Sequence, residues 1–370
     1  MGAVLKRTEE RTRPSMKRLV ILGGGYGGLR IIERVLSPDL PDDVFITLVD
    51  RMPFHGLKTE YYALAAGTTP ESHLRVTFPN DPRLTIKYGE ISDLDMDEQV
   101  VNFTNGDTIS YDWLVIGLGC EDRYHDIPGA EQYTCSIQSM GATRSTYSAI
   151  NNVNPYGTVT VVGGGLSGVE MAAELRESRP DLNVRIIDRG QSILSPFPKK
   201  LQEYASQWFI EHEVQLVSMA SVTGVEPGVV YNHNQPVESD VIVWTAGIQA
   251  NRIVRSLPIE TDNIGRAKLN QYHQIPSHPN VYVVGDCAST IIAPSAQTAE
   301  LQGEQIALML KKDIKGEEYP ASLPALKHKG FLGSLGKKEG FASMGKVSLV
   351  GQMARVIKSG QLWMYKKHMG

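Results

Sequence analysis

Two clusters of glycine follow short apolar runs and precede helical patterns in this chain. The first is Gly23-x-Gly25-x-x-Gly28 after KRLVIL, and the second is Gly163-x-Gly165-x-x-Gly168 after TVTVV. In this pattern the first glycine permits a tight turn, the second lets the backbone approach a pyrophosphate, and the third lets helix and strand pack closely. A pyrophosphate then lies at the helix N-terminus, where backbone N–H groups point outward. Each cluster therefore predicts a dinucleotide site, and a purely structural glycine turn is the alternative.

An aspartate ends the next strand after each cluster, at Asp50 and at Asp188. A carboxylate at this position accepts hydrogen bonds from a ribose, so the chain is expected to bind two dinucleotides. Because Asp188 repels a 2′-phosphate, the second site is predicted to prefer NADH to NADPH. Arg189 beside it would favour the phosphate instead, and an aspartate that only caps a turn is the remaining alternative.

Thiol chemistry is not expected between the two dinucleotides. The segment RMPFHGLKTEYYALAAGTTP after Asp50 contains no cysteine, and Cys120, Cys135 and Cys287 form no C-x-x-C pair. A thiol relay would need a closely placed reactive pair. The cysteines are therefore predicted to be packed side chains, with no disulfide framework and no metal site, in a reducing intracellular setting.

The elements that position these residues repeat one pattern. KRLVIL, a glycine turn, a helix and VFITLVD form a first strand–helix–strand unit, and TVTVV to VRIID forms a second. YDWLVIG, DVIVWTAGI and VYVVGDCA are further apolar strands that close in glycine turns. After Pro294-Ser295, a helix is predicted from Ala296 to Lys312, ended by Gly316.

Charge is distributed unevenly along a chain of ordinary composition. Of 370 residues, 41% are hydrophobic and 21% charged, with a net charge of −4. Residues 311–370 carry 12 Lys/Arg and 4 Asp/Glu, a balance of +8, which leaves −12 for the rest. No nucleic-acid partner is expected. Residues 1–16 have no signal-peptide pattern and are predicted to be a mobile leader.

Seven segments resemble one known family in order and spacing: GGGYGG, HGLKTEYYALAAGTTPES, YDWLVIGLG, GGGLSGVEMAAEL, VWTAGI, VVGDCA and AQTAELQG. The family is the type II, non-proton-pumping NADH dehydrogenases, and the resemblance spans about residues 17–369. It implies an α/β fold of two nested Rossmann-type domains that bind FAD and NAD. The FAD-binding domain would comprise 17–128 and 262–318, the NAD-binding domain 129–261, and a small basic C-terminal unit 319–370.

The resemblance also assigns roles to individual residues. Asp286 in VVGDCA corresponds to an aspartate that binds the FAD ribityl chain, and Gly247 in VWTAGI would contact a cofactor. Glu170 corresponds to a glutamate near nicotinamide and flavin, with an acidic residue favoured by the helix dipole as the alternative. Ala296 and Gln297 begin the helix expected to point at the flavin, and Gln297 lies in the quinone-side motif. Glu170 and Gln297 are thus the candidate catalytic residues.

Two features depart from the family. Its A-Q-x-A-x-Q motif has Leu301 in place of the second glutamine, and Gln302 comes one position later. Since one position turns a helical side chain by about 100°, Gln302 is not expected to substitute. The family also typically continues into a membrane-anchoring helical segment, whereas this sequence ends at Gly370, so weaker anchoring is expected.

Function is accordingly predicted as an FAD-dependent NADH dehydrogenase that reduces a quinone-like acceptor. A reductase with a soluble acceptor and an NAD(H)-sensing flavoprotein with low turnover are the alternatives, and a homodimer is left open. The expected location is the cytoplasm. Trp363 and Tyr365 among Lys358, Lys366 and Lys367 would suit peripheral contact with the inner face of the cell membrane, or else a solvated basic tail.

Overall fold

The computed structural model describes residues 16–327, 329–345 and 347–369. The predicted leader therefore lies outside the described residues, except for Met16. In chain order the strands are β1 (Lys17–Leu22), β2 (Val44–Asp50), β3 (His55–Gly56), β4 (Arg75–Val76), β5 (Leu84–Tyr88), β6 (Ile91–Asp95), β7 (Val100–Phe103), β8 (Thr108–Ser110), β9 (Trp113–Ile116), β10 (Cys120–Asp122), β11 (Thr158–Val162), β12 (Asn183–Ile187), β13 (Gln215–Val217), β14 (Val222–Glu226), β15 (Val229–Asn232), β16 (Gln235–Glu238), β17 (Val241–Trp244), β18 (Ile248–Ala250), β19 (Gln274–Ile275), β20 (His278–Val283), β21 (Phe331–Leu335), β22 (Glu339–Met344) and β23 (Val347–Val350). The α-helices are α1 (Tyr26–Val35), α2 (Tyr61–Ala65), α3 (Ala130–Tyr133), α4 (Met140–Asn151), α5 (Leu166–Ser178), α6 (Lys199–Glu211), α7 (Arg252–Ser256), α8 (Ala296–Lys315) and α9 (Gln352–Met369).

The first large sheet has the strand order β19-β20-β9-β1-β2-β5. All its pairings are parallel except that of β19 with β20. The four apolar residues 19–22 of β1 are fully buried, as expected for a parallel sheet covered on both faces. α1 and α8 pack together over one face, where Arg30 pairs with Glu300 at 2.8 Å.

The second large sheet, β13-β12-β11-β17, is wholly parallel. All its strands lie within residues 158–244, whereas β19 and β20 of the first sheet come later in the chain. The chain therefore leaves the first sheet, builds the second and returns. This confirms the predicted α/β fold of two nested Rossmann-type units.

The remaining strands form smaller sheets. Two antiparallel meanders, β6-β7-β8 and β14-β15-β16, form sheets of their own, and β10 pairs with β18 where the chain crosses between the units. The short strands β3 and β4 also pair.

The C-terminal part folds as a β21-β22-β23 meander with α9 packed on it. Its core includes the buried residues Leu335, Phe341 and Ala354. No helix was predicted at α9, because its polarity is inverted: Lys358 is buried while Val356 and Trp363 are exposed. None of the helices in the described part of the chain is long and apolar enough to cross a membrane.

Candidate functional site

The two glycine loops have nearly the same geometry. Gly23 and Gly163 have φ angles of +99° and +110°, which disfavour any other residue. A Cβ on Gly28 or Gly168 would lie 2.1 or 1.9 Å from the carbonyl oxygen of Gly23 or Gly163. The third glycine is therefore required for close packing of helix and strand.

Gly25 and Gly165 behave differently from the other loop glycines. A Cβ on either would meet no atom within 4 Å. Each is the N-cap of its helix, α1 or α5, so open space lies in front of backbone N–H groups at a helix N-terminus. Such a space suits a pyrophosphate, and both loops fit a dinucleotide.

Asp50 and Asp188 tie the glycine loops to the ends of β2 and β12. Asp50 accepts hydrogen bonds from the backbone N–H groups of Gly24 (2.7 Å) and Met52 (2.8 Å), and Asp188 accepts equivalent bonds from Gly164 and Gly190, both 2.7 Å. The turn-capping alternative is thus observed for Asp188. Turn capping by Asp188 does not exclude ribose binding, because a carboxylate offers about four acceptor sites.

Asp286 and Gly247 also lie after strands of the two sheets. Asp286 is in a single 3-10 turn, Gly285–Cys287, that follows β20, and its Oδ2 accepts a hydrogen bond from Cys120 Sγ at 3.1 Å. Gly247 connects β17 to β18 with a φ of +137°. Carboxyl ends of parallel strands are where nested nucleotide folds bind their ligands.

The cysteines have the character of packed thiols. All three are free, and Cys120 and Cys287 are buried. Burial raises the pKa of the Cys120 thiol to about 12 and raises that of Cys287 still further. Burial also raises the pKa of Cys135. Thiols with such pKa values are protonated at neutral pH and are poor nucleophiles, in accord with the sequence prediction.

Helix α8 begins as predicted, with Ser295 as its N-cap: the Ser295 hydroxyl oxygen accepts a hydrogen bond from Thr298 N–H at 3.1 Å. The helix extends three residues beyond the predicted end, to Lys315, and Gly316 caps it in the left-handed conformation. Ala296 and Gln297 occupy the first turn, and Gln297 Oε1 accepts a hydrogen bond from Lys329 N–H at 2.9 Å.

The shifted glutamine of the quinone-side motif faces the core. Gln302 is fully buried, and its Oε1 accepts a hydrogen bond from Gly285 N–H at 2.9 Å. Leu301 is half-buried. Gln302 therefore does not substitute for the glutamine that the family has at position 301, as the helical geometry predicted.

Glu170 is buried in a polar cluster that joins three parts of the chain. It lies beyond the first turn of α5, so the helix-dipole alternative does not describe it. Its Oε1 accepts hydrogen bonds from the backbone N–H (3.0 Å) and hydroxyl (3.1 Å) of Ser334 on β21 and from Lys358 Nζ on α9. Lys358 Nζ also donates to Tyr62 at 2.6 Å and lies 3.6 Å from Glu60 Oε1.

Electrostatics keep Lys358 charged in this cluster. Burial alone would lower the pKa of Lys358, but the attraction of Glu170, Tyr62 and Glu60 outweighs burial and raises it. The cluster thus holds a permanent buried ammonium next to the predicted catalytic glutamate. The family resemblance pointed to Glu170, whereas Lys358 was expected at a membrane surface or in a solvated basic tail. That expectation is wrong for Lys358, because its ammonium is buried against Glu170 and Tyr62.

A second contact links α9 to the first glycine loop. His55 is buried, its Nδ1 lies 2.9 Å from the carbonyl oxygen of Gly24, and its Nε2 lies 3.1 Å from the hydroxyl of Tyr365. Burial lowers the pKa of His55 to about 4, so the ring is neutral at pH 7. Nδ1–H must then donate to Gly24, and the Tyr365 hydroxyl donates to Nε2.

Two nested Rossmann-type units, each with an open glycine loop and an acidic strand end, define a two-dinucleotide oxidoreductase. Residues 17–303 match the family described as pyridine nucleotide-disulphide oxidoreductase, and the chain belongs to that family.

Named relatives narrow the class. The chain is 54% identical over 355 residues to the "NADH dehydrogenase-like protein YutJ" of Bacillus subtilis, covering 96% of this chain and 100% of that protein. It is 27% identical over 389 residues to the "Type II NADH:quinone oxidoreductase Ndh" of Mycobacterium tuberculosis, covering 93% and 83%. The structure of NDH2 from Plasmodium falciparum in complex with NADH aligns with a TM-score of 0.81 at 15% identity, covering 96% of this chain and 95% of that one.

The chain is therefore an oxidoreductase that acts on NADH and binds FAD and NAD(H), which confirms the predicted enzyme class, fold and cofactors. The roles of the individual site residues remain predictions. His55 and Lys58 had no sequence signal, because their partners are distant in the chain.

Proposed function

We propose that this chain is an NADH dehydrogenase of type II character that passes two electrons from NADH to a quinone-like acceptor. The observation that carries the proposal is the pair of open glycine loops combined with the buried, unpaired thiols of Cys120 and Cys287. Bound FAD would accept hydride from NADH and release two electrons to the acceptor. The residues of the chain bind and orient the two nucleotides and exclude a thiol intermediate.

On the NADH side, the loop at Gly165 would hold the pyrophosphate and Asp188 the ribose. Both Asp188 oxygens already accept one backbone N–H, which fixes the carboxylate orientation. A fixed negative charge there disfavours the 2′-phosphate of NADPH. Arg189 is exposed, so its charge is more strongly screened than a buried one would be.

On the flavin side, the loop at Gly25 would hold the FAD pyrophosphate and Asp286 the ribityl chain. The first turn of α8, with Ala296 and Gln297, would present backbone N–H groups to the flavin. His55 Nδ1–H donates to the Gly24 carbonyl, and the Tyr365 hydroxyl bonds the other ring nitrogen of His55. They are positioning residues for the phosphate loop.

On the acceptor side, Gln297 would lie beside the entry for a quinone, whereas Glu170 would lie near the nicotinamide and flavin. The backbone N–H of Lys329 donates a hydrogen bond to Gln297 Oε1, and this bond orients the side-chain amide of Gln297. Leu301 supplies an apolar side chain where a hydrogen-bonding one is expected in the family. A lost neutral hydrogen bond corresponds to roughly 0.5–1.5 kcal/mol, or up to about ten-fold in kcat/KM. Quinone reduction is therefore expected to be slow and measurable.

A membrane surface is the proposed source of the acceptor. One face of α9 exposes Met353, Val356, Trp363 and Met364, which recur at helical spacing. Lys337, Lys338 and Arg355 line the groove beside this face together with Val356 and Trp363. Apolar and aromatic side chains flanked by basic ones suit the surface of an anionic bilayer.

A soluble acceptor is the second candidate, and Leu301 is the observation that favours it. Without the family's second glutamine, the acceptor site lacks one hydrogen-bonding side chain that could select a quinone carbonyl. Both candidates share the NADH half-reaction and differ only in the oxidative one.

The decisive experiment separates these half-reactions. Leu301→Gln should raise kcat/KM for a short-chain quinone several-fold without changing anaerobic flavin reduction by NADH. Leu308→Gln, at an exposed position of the same helix, is the matched control and should change neither. If wild-type protein reduces no quinone, Leu301→Gln has no effect and a soluble acceptor turns over rapidly, the second candidate replaces the first.

Membrane contact is tested separately. Co-sedimentation with anionic vesicles should fall several-fold in Val356→Ser/Trp363→Ser. Tyr156→Ser, which replaces an exposed aromatic residue between α4 and β11, should leave it unchanged. Equal sedimentation of all three proteins would contradict the α9 assignment.

A further inference from the structure

Lys58 carries a charge that is partly withdrawn from water and has few partners in the chain. It begins the 3-10 turn Lys58–Glu60 between β3 and α2. Its Nζ donates a hydrogen bond to Cys120 Sγ at 3.2 Å, and it forms no ion pair with a carboxylate of the described residues. Burial would lower the pKa of Lys58, but Cys120 and Asp286 raise it, so the side chain is an ammonium at neutral pH.

One thiol does not satisfy an ammonium. The group has three N–H donors, and sulfur is a weak acceptor. Partial burial of a charge whose donors lack strong acceptors has a cost. Lys358, which is buried, has two carboxylates and two hydroxyls around it. By comparison, Lys58 has N–H donors left for a partner that is not part of the chain.

The surroundings of Lys58 identify that partner by chemistry. Cys120 Sγ, which accepts from Lys58, donates to Asp286 Oδ2 at 3.1 Å, so the ammonium is two contacts from the proposed ribityl residue. A Cβ on Gly119, beside Cys120, would meet no atom within 4 Å. Asp122 Oδ1, on the same strand as Cys120, is buried without a hydrogen-bond partner among the described residues. Open space lined by unsatisfied polar groups therefore adjoins the flavin side of the site.

We propose that Lys58 is a catalytic residue that donates a hydrogen bond to the isoalloxazine ring of FAD and stabilises the negative charge of the reduced ring. The proposal rests on the flavin half of the proposed function and not on the identity of the acceptor. Two-electron reduction at neutral pH leaves the ring system anionic, and a nearby cation in a site of low dielectric favours that form. Lys58 then raises the midpoint potential of the flavin.

The test measures the potential of the bound flavin in Lys58→Met and Lys58→Arg holoprotein by chemical reduction against a reference dye, with no NADH or quinone present. Lys58→Met removes the charge at similar length and should shift the equilibrium about ten-fold toward oxidised flavin, which is about 30 mV for a two-electron couple. Lys58→Arg keeps the charge and should shift it less than three-fold. Sulfite, which adds to oxidised flavin and makes the ring anionic, should bind about ten-fold more weakly to Lys58→Met.

Cys120→Ser is the matched control, since it changes the protein acceptor of Lys58 and leaves the ammonium in place. It should shift the potential less than two-fold. The proposal is overturned if Lys58→Met keeps the wild-type potential and sulfite affinity, or if Cys120→Ser shifts both as much as Lys58→Met does.

Loss of FAD on substitution is also informative. If Lys58→Met and Lys58→Gln lose FAD while Lys58→Arg retains it, the charge is needed by the cofactor, as proposed. Loss from all three variants would assign Lys58 a packing role and overturn the proposal. A wild-type protein that takes up no FAD would instead overturn the proposed function itself.

Discussion

Replacing Lys358 with methionine tests the buried cluster that joins α9 to the site. Lys358 is 9% exposed and contacts Glu170, Tyr62, Ser334 and Glu60. Removing one partner of a buried ion pair usually costs about 3–5 kcal/mol, because the other charge is left uncompensated. Since Ser334 still donates two hydrogen bonds to Glu170, we expect a loss near the lower end, about 3 kcal/mol.

The assay is equilibrium unfolding in urea followed by circular dichroism. Lys358→Met/Glu170→Gln removes both charges and should recover at least ~1 kcal/mol relative to Lys358→Met. Lys367→Met is the matched control: this lysine is exposed on the same helix, over the Trp363 ring at 5.2 Å, and its loss should cost no more than ~1 kcal/mol. A loss below ~1 kcal/mol for Lys358→Met, or no recovery in the double variant, would contradict a stabilising buried ion pair between Lys358 and Glu170.

Three further results are expected. Asp188→Ala should narrow the preference for NADH over NADPH in anaerobic flavin reduction, because it removes both a ribose acceptor and a repulsive charge; an unchanged ratio would contradict the role of Asp188. Gly25→Val should abolish FAD retention, measured by absorbance after gel filtration, while circular dichroism shows a folded protein, since the added side chain enters open space. Burial lowers the pKa of His55 from 6.5 to about 4, so the neutral ring stabilises the fold by up to roughly 3 kcal/mol above pH 6.5, and this is lost as pH falls toward 4. His55→Gln should flatten that part of the stability–pH curve, and an equally steep curve would contradict the pKa argument.

Local sequence signals were sufficient to predict the nested fold and the two glycine loops. Gly23, Gly25 and Gly28 lie within six consecutive residues, and their conformational and packing requirements are imposed within one strand–helix turn. The same holds for Ser295 as the N-cap of α8, where the side chain bonds a residue three positions later. Helix periodicity likewise explains why Gln302 turns into the core.

Long-range partners were not accessible to the same reasoning. Lys358 pairs with Glu170, 188 residues away, and Tyr365 with His55, 310 residues away. Neither contact leaves a periodic pattern in sequence. Helix α9 was missed for a related reason, because a buried lysine and exposed apolar residues invert the polarity expected of a surface helix. Lys58 likewise left no local signal, because its acceptor Cys120 lies 62 residues away.

Hydride is proposed to pass directly between the two bound dinucleotides, without a thiol intermediate. The test is anaerobic mixing of one equivalent of NADH with FAD-loaded protein in which Cys120, Cys135 and Cys287 are all replaced by serine. All three thiols have raised pKa values from burial, so we expect the flavin absorbance to bleach at a rate within about three-fold of wild type. A triple variant that folds and holds FAD, yet is not reduced by NADH while the wild type is, would contradict the claim.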